Sequence, residues 1–188
     1  SSAYAAAKNG AKVILAEDKP RFGGSLLTDE VNIDNLSGKA WTDKIITELK
    51  EMPNVIVKNR SQVFGYYDHN MTVMIEKTGD HLKDKPKYTP RQRLWYIRAK
   101  EVLLSTGSIE RPIVFGNNDL PGIFLSAAAK EYIKVYGVLV GKKPLIFTNN
   151  DSAYETALEF KKQGIDPIIL DTRKEHSSEL IDSAKNQN

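Results

Sequence analysis

Cysteine is missing altogether from the 188 residues. Structural disulfides, thiolate metal sites and dithiol redox chemistry are excluded with it, and so are the flavin reductases that work through a cysteine pair. Histidine is scarce. His69, His81 and His176 stand far apart in the sequence, without metal-site spacing, and are read as surface residues. No apolar run approaches the ~18 residues of a membrane span, and no basic-apolar-small leader opens the chain. An excess of one charge sign is lacking too: the formal +3 is small and dispersed, which argues against a nucleic-acid partner.

What is present is an ordinary globular balance, 40% hydrophobic and 27% charged. The length suits one full domain, or two small α/β lobes sharing a sheet edge. The organising stretch is 93–115, RLWYIRAKEVLLSTGSIERPIVF. Its pattern predicts a strand from Arg93 to Ile97, a turn, and a buried strand from Glu101 to Leu104 that ends in Ser105, Thr106 and Gly107. Gly107 has no Cβ and permits close backbone approach, while Thr106 can bond backbone or ligand. A plain strand-ending turn explains the Thr-Gly pair equally well.

The opening reads as helix over the alanine-rich 3–8, stopped near Gly10, then a buried strand from Val13 to Ala16 ending at Glu17. Helix, glycine, apolar strand and terminal acid are the later parts of a βαβ dinucleotide unit. The glycine-rich loop and first strand are expected upstream of Ser1, so the chain is read as a fragment, with NAD binding weak or absent for want of the loop amides and no oxidase activity of its own. Glu17 takes the position of an acid that bonds an adenosine ribose hydroxyl; a solvated strand end is the other reading. Gly23 and Gly24 allow a tight turn or close approach to a phosphate, with a flexible loop as the alternative.

Residues 41–52 place Trp41, Ile45, Ile46, Leu49 and Met52 on one helical face, followed by a strand at Val55 to Val57. SQVFGYYDHNMTVMIEK and RLWYIRA predict a three-stranded meander over 62–98, with a charged, exposed loop at 78–92. Lys87, Tyr88, Arg91 and Arg93 form a basic-aromatic cluster read as a solvated hairpin tip or as a surface where a partner chain docks. Residues 125–136 are expected to form a helix that buries Leu125, Ala129, Tyr132, Ile133 and Tyr136. A second βαβ pattern follows: strand Leu145 to Thr148, a helix opened by a Ser152–Glu155 capping box, and strand Pro167 to Leu170. Asp171 ends that strand. The loop that should be glycine-rich reads Thr148, Asn149, Asn150, Asp151, whose side chains crowd a pyrophosphate, so a second nucleotide site is expected to be vestigial.

The Leu-Ser-Thr-Gly segment resembles the Ala-Thr-Gly strand end of the two-dinucleotide-binding flavoproteins. The runs FGYYDHN (64–70), PRQRLWYIRAKEVLLSTGSIERPIVFGNNDLPG (90–122) and FTNNDSAYETA (147–157) resemble the alpha subunit of heterotetrameric sarcosine oxidase. The resemblance implies an α/β, Rossmann-like dinucleotide-binding domain over 1–122, including the meander, and a second, degenerate βαβ lobe over 123–188. It implies NAD held without turnover, in contact with Glu17, Gly23, Gly24, Val63, Phe64, Thr106 and Gly107, and no catalytic or metal-binding residue in this chain. Oxidative demethylation of sarcosine to glycine, with hydrogen peroxide and methylene-tetrahydrofolate or formaldehyde, would belong to the whole complex. FAD, FMN, tetrahydrofolate and the beta, gamma and delta subunits belong there too, in the cytoplasm and without a membrane partner. The alternatives are the alpha subunit of a related amine, opine or amino-acid oxidase or dehydrogenase, a pyridine-nucleotide-dependent reductase, or a pure scaffold.

Overall fold

The computed structural model describes residues 2–174, 181, 182 and 184, arranged as mixed α/β structure in two compact units, Ser1–Thr106 and Gly107–Asn188. His176 lies outside the described residues; His69 and His81 are exposed. Among the described residues no helix is long and apolar enough to cross a membrane.

Unit 1 opens with α1 (Ser2–Lys8), whose alanines favour helix, and the chain turns at Gly10 with φ +82°. Strand β1 (Val13–Ala16) then runs parallel to a later strand, and parallel neighbours require a long crossover. That crossover begins with one turn of 3₁₀ helix at Gly24–Leu27. A small hairpin follows, β2 (Asn32–Ile33) and β3 (Leu36–Ser37), whose Asp34 and Asn35 both have positive φ, the geometry of a type I′ turn. The Ser37 hydroxyl accepts the Ala40 amide at 3.3 Å and starts α2 (Gly38–Glu51). Gly38 is tightly fitted, since a Cβ there would lie 3.0 Å from the Leu26 carbonyl. α2 buries Thr42 and Leu49, and the chain returns as β4 (Val55–Lys58), in register from Val13↔Val55 to Ala16↔Lys58. The Asn54 amide donates to the Ala7 and Ala11 carbonyls at 2.9 and 2.7 Å, pinning the end of α1 to the start of β4.

Three antiparallel strands complete the unit: β5 (Ser61–Tyr67), β6 (Met71–Lys77) and β7 (Gln92–Arg98), in the order β5-β6-β7. This is the meander expected over 62–98. Its centre is Met74, fully buried, beside Val73 and Thr72. Glu76 ties it to the parallel pair, accepting Lys58 Nζ at 2.9 Å, Trp95 Nε1 at 2.7 Å and Arg93 at 3.4 Å. Burial pushes the Glu76 carboxyl up, but the bonds from Lys58 and Trp95 outweigh it and hold the group below the ordinary carboxylate value. The 78–91 loop is anchored at its base by Arg91 Nε on Asp80 at 2.7 Å. The expected basic cluster is divided: Arg91 pairs with Asp80, Arg93 with Glu76, and Lys87 lies over its neighbour Tyr88.

One expected strand is absent. Residues 101–106 form no ladder, and Leu103 and Leu104 are 71% and 69% exposed. The apolar run is right for a buried strand, but a strand needs a partner for its amides and carbonyls, and no described strand pairs with it.

In unit 2, residues 107–125 carry no helix or strand. The Glu110 carboxylate accepts the Ser126 and Ala127 amides at 3.1 and 2.7 Å and caps α3 (Ser126–Tyr136), favourably placed against the helix dipole. Strand β8 (Leu145–Thr148), α4 (Ser152–Lys162) and β9 (Ile168–Asp171) follow, with β8 and β9 parallel from Leu145↔Ile168 to Thr148↔Asp171. Ala129, Ile133, Ile146, Ala153, Ala157 and Phe160 form the core. Of the face expected for α3, Ala129 and Ile133 are buried and Leu125 is half-buried. Tyr132 and Tyr136 are exposed, while Lys130 is buried and pairs with Glu155 of α4.

The meander depends on Met74. Met74→Ala is expected to cost about 2–5 kcal/mol in urea unfolding, whereas Phe64→Ala, at a half-exposed site, should cost well under about 1 kcal/mol. Equal losses would contradict this division.

Candidate functional site

Glu17 is the first residue past β1. Its amide donates to the Lys58 carbonyl at 2.9 Å, continuing the parallel ladder, and its carbonyl accepts the Ser61 amide at 2.8 Å, where β5 begins. The backbone is thus fixed on both sides, and the half-buried carboxyl accepts the Lys19 amide at 3.0 Å. Burial, reinforced by Asp18, holds this carboxyl above the ordinary value, against the pull of the Lys19 amide. A carboxylate at the carboxyl end of a parallel strand can accept two vicinal hydroxyls.

The two glycines that follow have different reasons to be glycine. Gly23 has φ +127°, and a Cβ there would come 3.0 Å from Leu27 and 3.3 Å from Thr42, so its backbone conformation and its packing both favour glycine. Gly24, at φ +54°, faces open space, with nothing within 4 Å of a built Cβ. Its bare backbone remains open to a ligand.

Val63 and Phe64 sit at an irregularity in β5. Val63 pairs with Met74 and Gly65 with Val73, so the register shifts and Phe64 is left without a cross-strand partner. Phe64 is 56% exposed. Gly65 has a local cause: a Cβ would meet the Tyr67 ring at 2.6 Å. The sequence signal for this bulge was the glycine inside an alternating strand, which the reading by strand period did not use.

Thr106 closes unit 1 and Gly107 opens unit 2; both are exposed, and Gly107 has φ +68°. Glu17, Gly23, Gly24, Val63 and Phe64 therefore share one unit, with Glu17 bonded through its backbone to the strand that carries Val63 and Phe64.

The carboxyl ends of β8 and β9 have a different chemistry. Asp171, with its side chain only 4% exposed, accepts Arg173 N and Nε at 3.0 Å, Arg173 Nη2 at 2.7 Å and the Tyr154 hydroxyl at 3.1 Å. Arg173 Nη1 also lies 2.8 Å from Asp151 Oδ1. The Arg173 bonds hold Asp171 far below the ordinary carboxylate value, and burial together with Asp171 raises the Tyr154 phenol. The loop before α4 is closed on itself. Thr148 Oγ1 accepts the Asn150 amide at 3.1 Å, and Asn150 Oδ1 accepts the Ser152 amide at 3.0 Å. Asn150 thus provides the local cap, and the Ser152–Glu155 box does not form because Ser152 is the first helical residue, its hydroxyl donating to Asn150 Oδ1 at 2.6 Å, while Glu155 pairs with Lys130. Among the described residues no cluster of His, Asp and Glu could hold a metal ion.

No protein-family model matches the chain. It is 40% identical over 174 residues to the alpha subunit of sarcosine oxidase from Rhizobium meliloti (strain 1021), covering 92% of this chain and 18% of that protein. It is 36% identical over 181 residues to the corresponding alpha subunit from Corynebacterium sp. (strain U-96), covering 95% and 19%. An opine oxidase subunit from Agrobacterium tumefaciens (strain Ach5) is 24% identical over 159 residues, covering 78% and 30%. Among solved structures, L-proline dehydrogenase from P. horikoshii superposes with a TM-score of 0.71 at 23% identity, covering 94% of this chain and 34% of that one. That likeness is one of fold. The resemblance read from the sequence holds over nine-tenths of the chain, which spans under a fifth of the length of the sarcosine oxidase alpha subunits it matches.

The Asp171–Arg173 pair yields a signed prediction. A carboxyl depressed on folding stabilises above its unfolded value, about 3.9, and loses that contribution as pH falls below it. Arg173→Gln should lower the thermal midpoint at pH 7 and lower it progressively less below pH ~4. A loss independent of pH would show that Arg173 acts by packing alone.

Proposed function

We propose that this chain is the dinucleotide-binding, non-catalytic part of an alpha subunit of the sarcosine oxidase type, and that it contributes the adenosine side of an NAD site. Glu17 is assigned to the ribose hydroxyls, Gly24 to close backbone approach, and Val63 and Phe64 to the adenine face. Thr106, the last residue of unit 1, is assigned to the same cofactor. The observation that carries the reading is Glu17: a half-buried carboxyl at the carboxyl end of a parallel strand, backbone-locked on both sides, and followed by a glycine with open space. The residues suit the group. Gly24 leaves room where any side chain would intrude, and Glu17 is an acceptor already partly withdrawn from water.

The nucleotide would be held as a fixed part of the fold, with no turnover assigned to it. Amine oxidation, with sarcosine as the substrate, glycine, hydrogen peroxide and methylene-tetrahydrofolate or formaldehyde as products, and FAD, FMN and folate as further cofactors, is assigned to the complete assembly with its beta, gamma and delta partners. The similarity to named sarcosine oxidase alpha subunits supports that assignment. For the β8–α4–β9 lobe we assign no nucleotide. A ribose would have to displace Arg173 from Asp171, and the Asn149, Asn150 and Asp151 side chains fill the loop a pyrophosphate would need.

Titration calorimetry with NAD, ADP-ribose and nicotinamide mononucleotide tests the reading. NAD and ADP-ribose should bind this chain alike and weakly, and nicotinamide mononucleotide should not bind. Glu17→Gln should weaken the first two by roughly 10–100-fold, the loss of about 1.5–3 kcal/mol expected for a bond to a charged acceptor. An unchanged affinity in Glu17→Gln would overturn the assignment.

A further inference from the structure

We propose that unit 1 carries a second, separate site, a pocket for an amphipathic organic anion between α2, the 20–22 segment and the end of β4. The cavity measures about 460 Å³, inside the ~300–1,000 Å³ range of small-molecule pockets. Phe22, Leu27, Ile46 and Val57, all half-buried, are its apolar lining. Arg21, Lys39 and Lys50 line its mouth against a single acid, Asp43.

The helix repeat sets this pattern. Lys39, Asp43, Ile46 and Lys50 follow one another at spacings of three or four along α2 and so share one stripe. The opposite wall is held by backbone and amide bonds: Asn59 donates to the Pro20 carbonyl at 2.7 Å, and the Arg60 amide to the Lys19 carbonyl at 3.0 Å. Gly23, packed on Leu27 and Thr42, fixes the chain just past Phe22. Thr47 already donates its hydroxyl to the Asp43 carbonyl at 2.9 Å, so the donors left at the mouth are cationic.

An apolar lining with a rim of three cations and one carboxylate selects a ligand with a ring or short chain and one carboxylate, sulfonate or phosphate. Neither Glu17 nor Gly24 lines the cavity, so the site is distinct from the one assigned to NAD and does not rest on that reading.

The probe is 8-anilinonaphthalene-1-sulfonate, with the uncharged N-phenyl-1-naphthylamine as its control, followed by amide chemical-shift mapping on the whole chain. Saturable binding is expected, with shifts centred on Arg21, Phe22, Lys39, Asp43, Ile46 and Lys50. The neutral compound should bind at least about tenfold more weakly. The triple variant Arg21→Gln, Lys39→Gln, Lys50→Gln changes only exposed side chains and should weaken the sulfonate by a similar factor with the thermal midpoint unchanged. Asp43→Asn should tighten it, and excess NAD should leave it bound. Shifts spread over the exposed aromatics of β5 and β7, equal binding of the neutral compound, or displacement by NAD would each overturn the proposal.

Discussion

The parallel pairing of β1 with β4 is the constraint on which the rest of unit 1 depends. Parallel strands cannot be joined by a tight turn, so the chain between Ala16 and Val55 must travel the length of the sheet and return. Everything in that excursion serves the return. The Gly23 turn folds the chain onto α2, the Asp34–Asn35 hairpin reverses it, Ser37 starts the helix, and Leu49 seals it. Because the ladder continues one step beyond β1, the Glu17 backbone is bonded to Lys58 and to Ser61, and the Lys19 amide holds its carboxyl. The acid assigned to the ribose is therefore positioned by backbone hydrogen bonds.

Two acids end parallel strands in this chain, and their surroundings separate them. Glu17 is half-buried, with one amide donor and an acidic neighbour, so its carboxyl is raised and under-coordinated. Asp171 has an almost covered side chain and holds a guanidinium, an amide and a phenol. Under-coordination leaves a group with bonds still to make, whereas a saturated carboxylate contributes to stability and has nothing to offer a ligand. This electrostatic contrast, more than the strand topology common to both units, is the reason for assigning the nucleotide to unit 1.

Much of this was legible in the sequence. The alanine run, the Val13–Ala16 and Val55–Val57 strands, the meander and the second βαβ pattern all follow from apolar period and turn residues, because local patterning and tertiary structure agree there. The disagreements have physical causes. Glu101 to Leu104 has the composition of a buried strand, yet composition cannot supply a partner strand. Tyr132 and Tyr136 fall on a helical apolar stripe, but only Ala129 and Ile133 of it join the core with α4, and the ion pairs Lys130–Glu155 and Lys134–Glu159 flank that contact. The capping box at Ser152 fails because the helix starts one residue earlier than the box needs, with Asp151 at the N-cap. The 20–22 cavity had no linear signal, since its lining comes from four separate stretches. Arg173 was visible two residues past Asp171, but only coordinates show it folding back.

The central claim is that this chain receives the adenosine end of a dinucleotide beside Glu17. Saturation-transfer difference NMR with NAD tests it most directly. Strong transfer to the adenine and adenosine ribose protons, with weak transfer to the nicotinamide ring, is the predicted result. Transfer dominated by the nicotinamide ring, or none at any NAD concentration that saturates a control dinucleotide-binding protein, would contradict it.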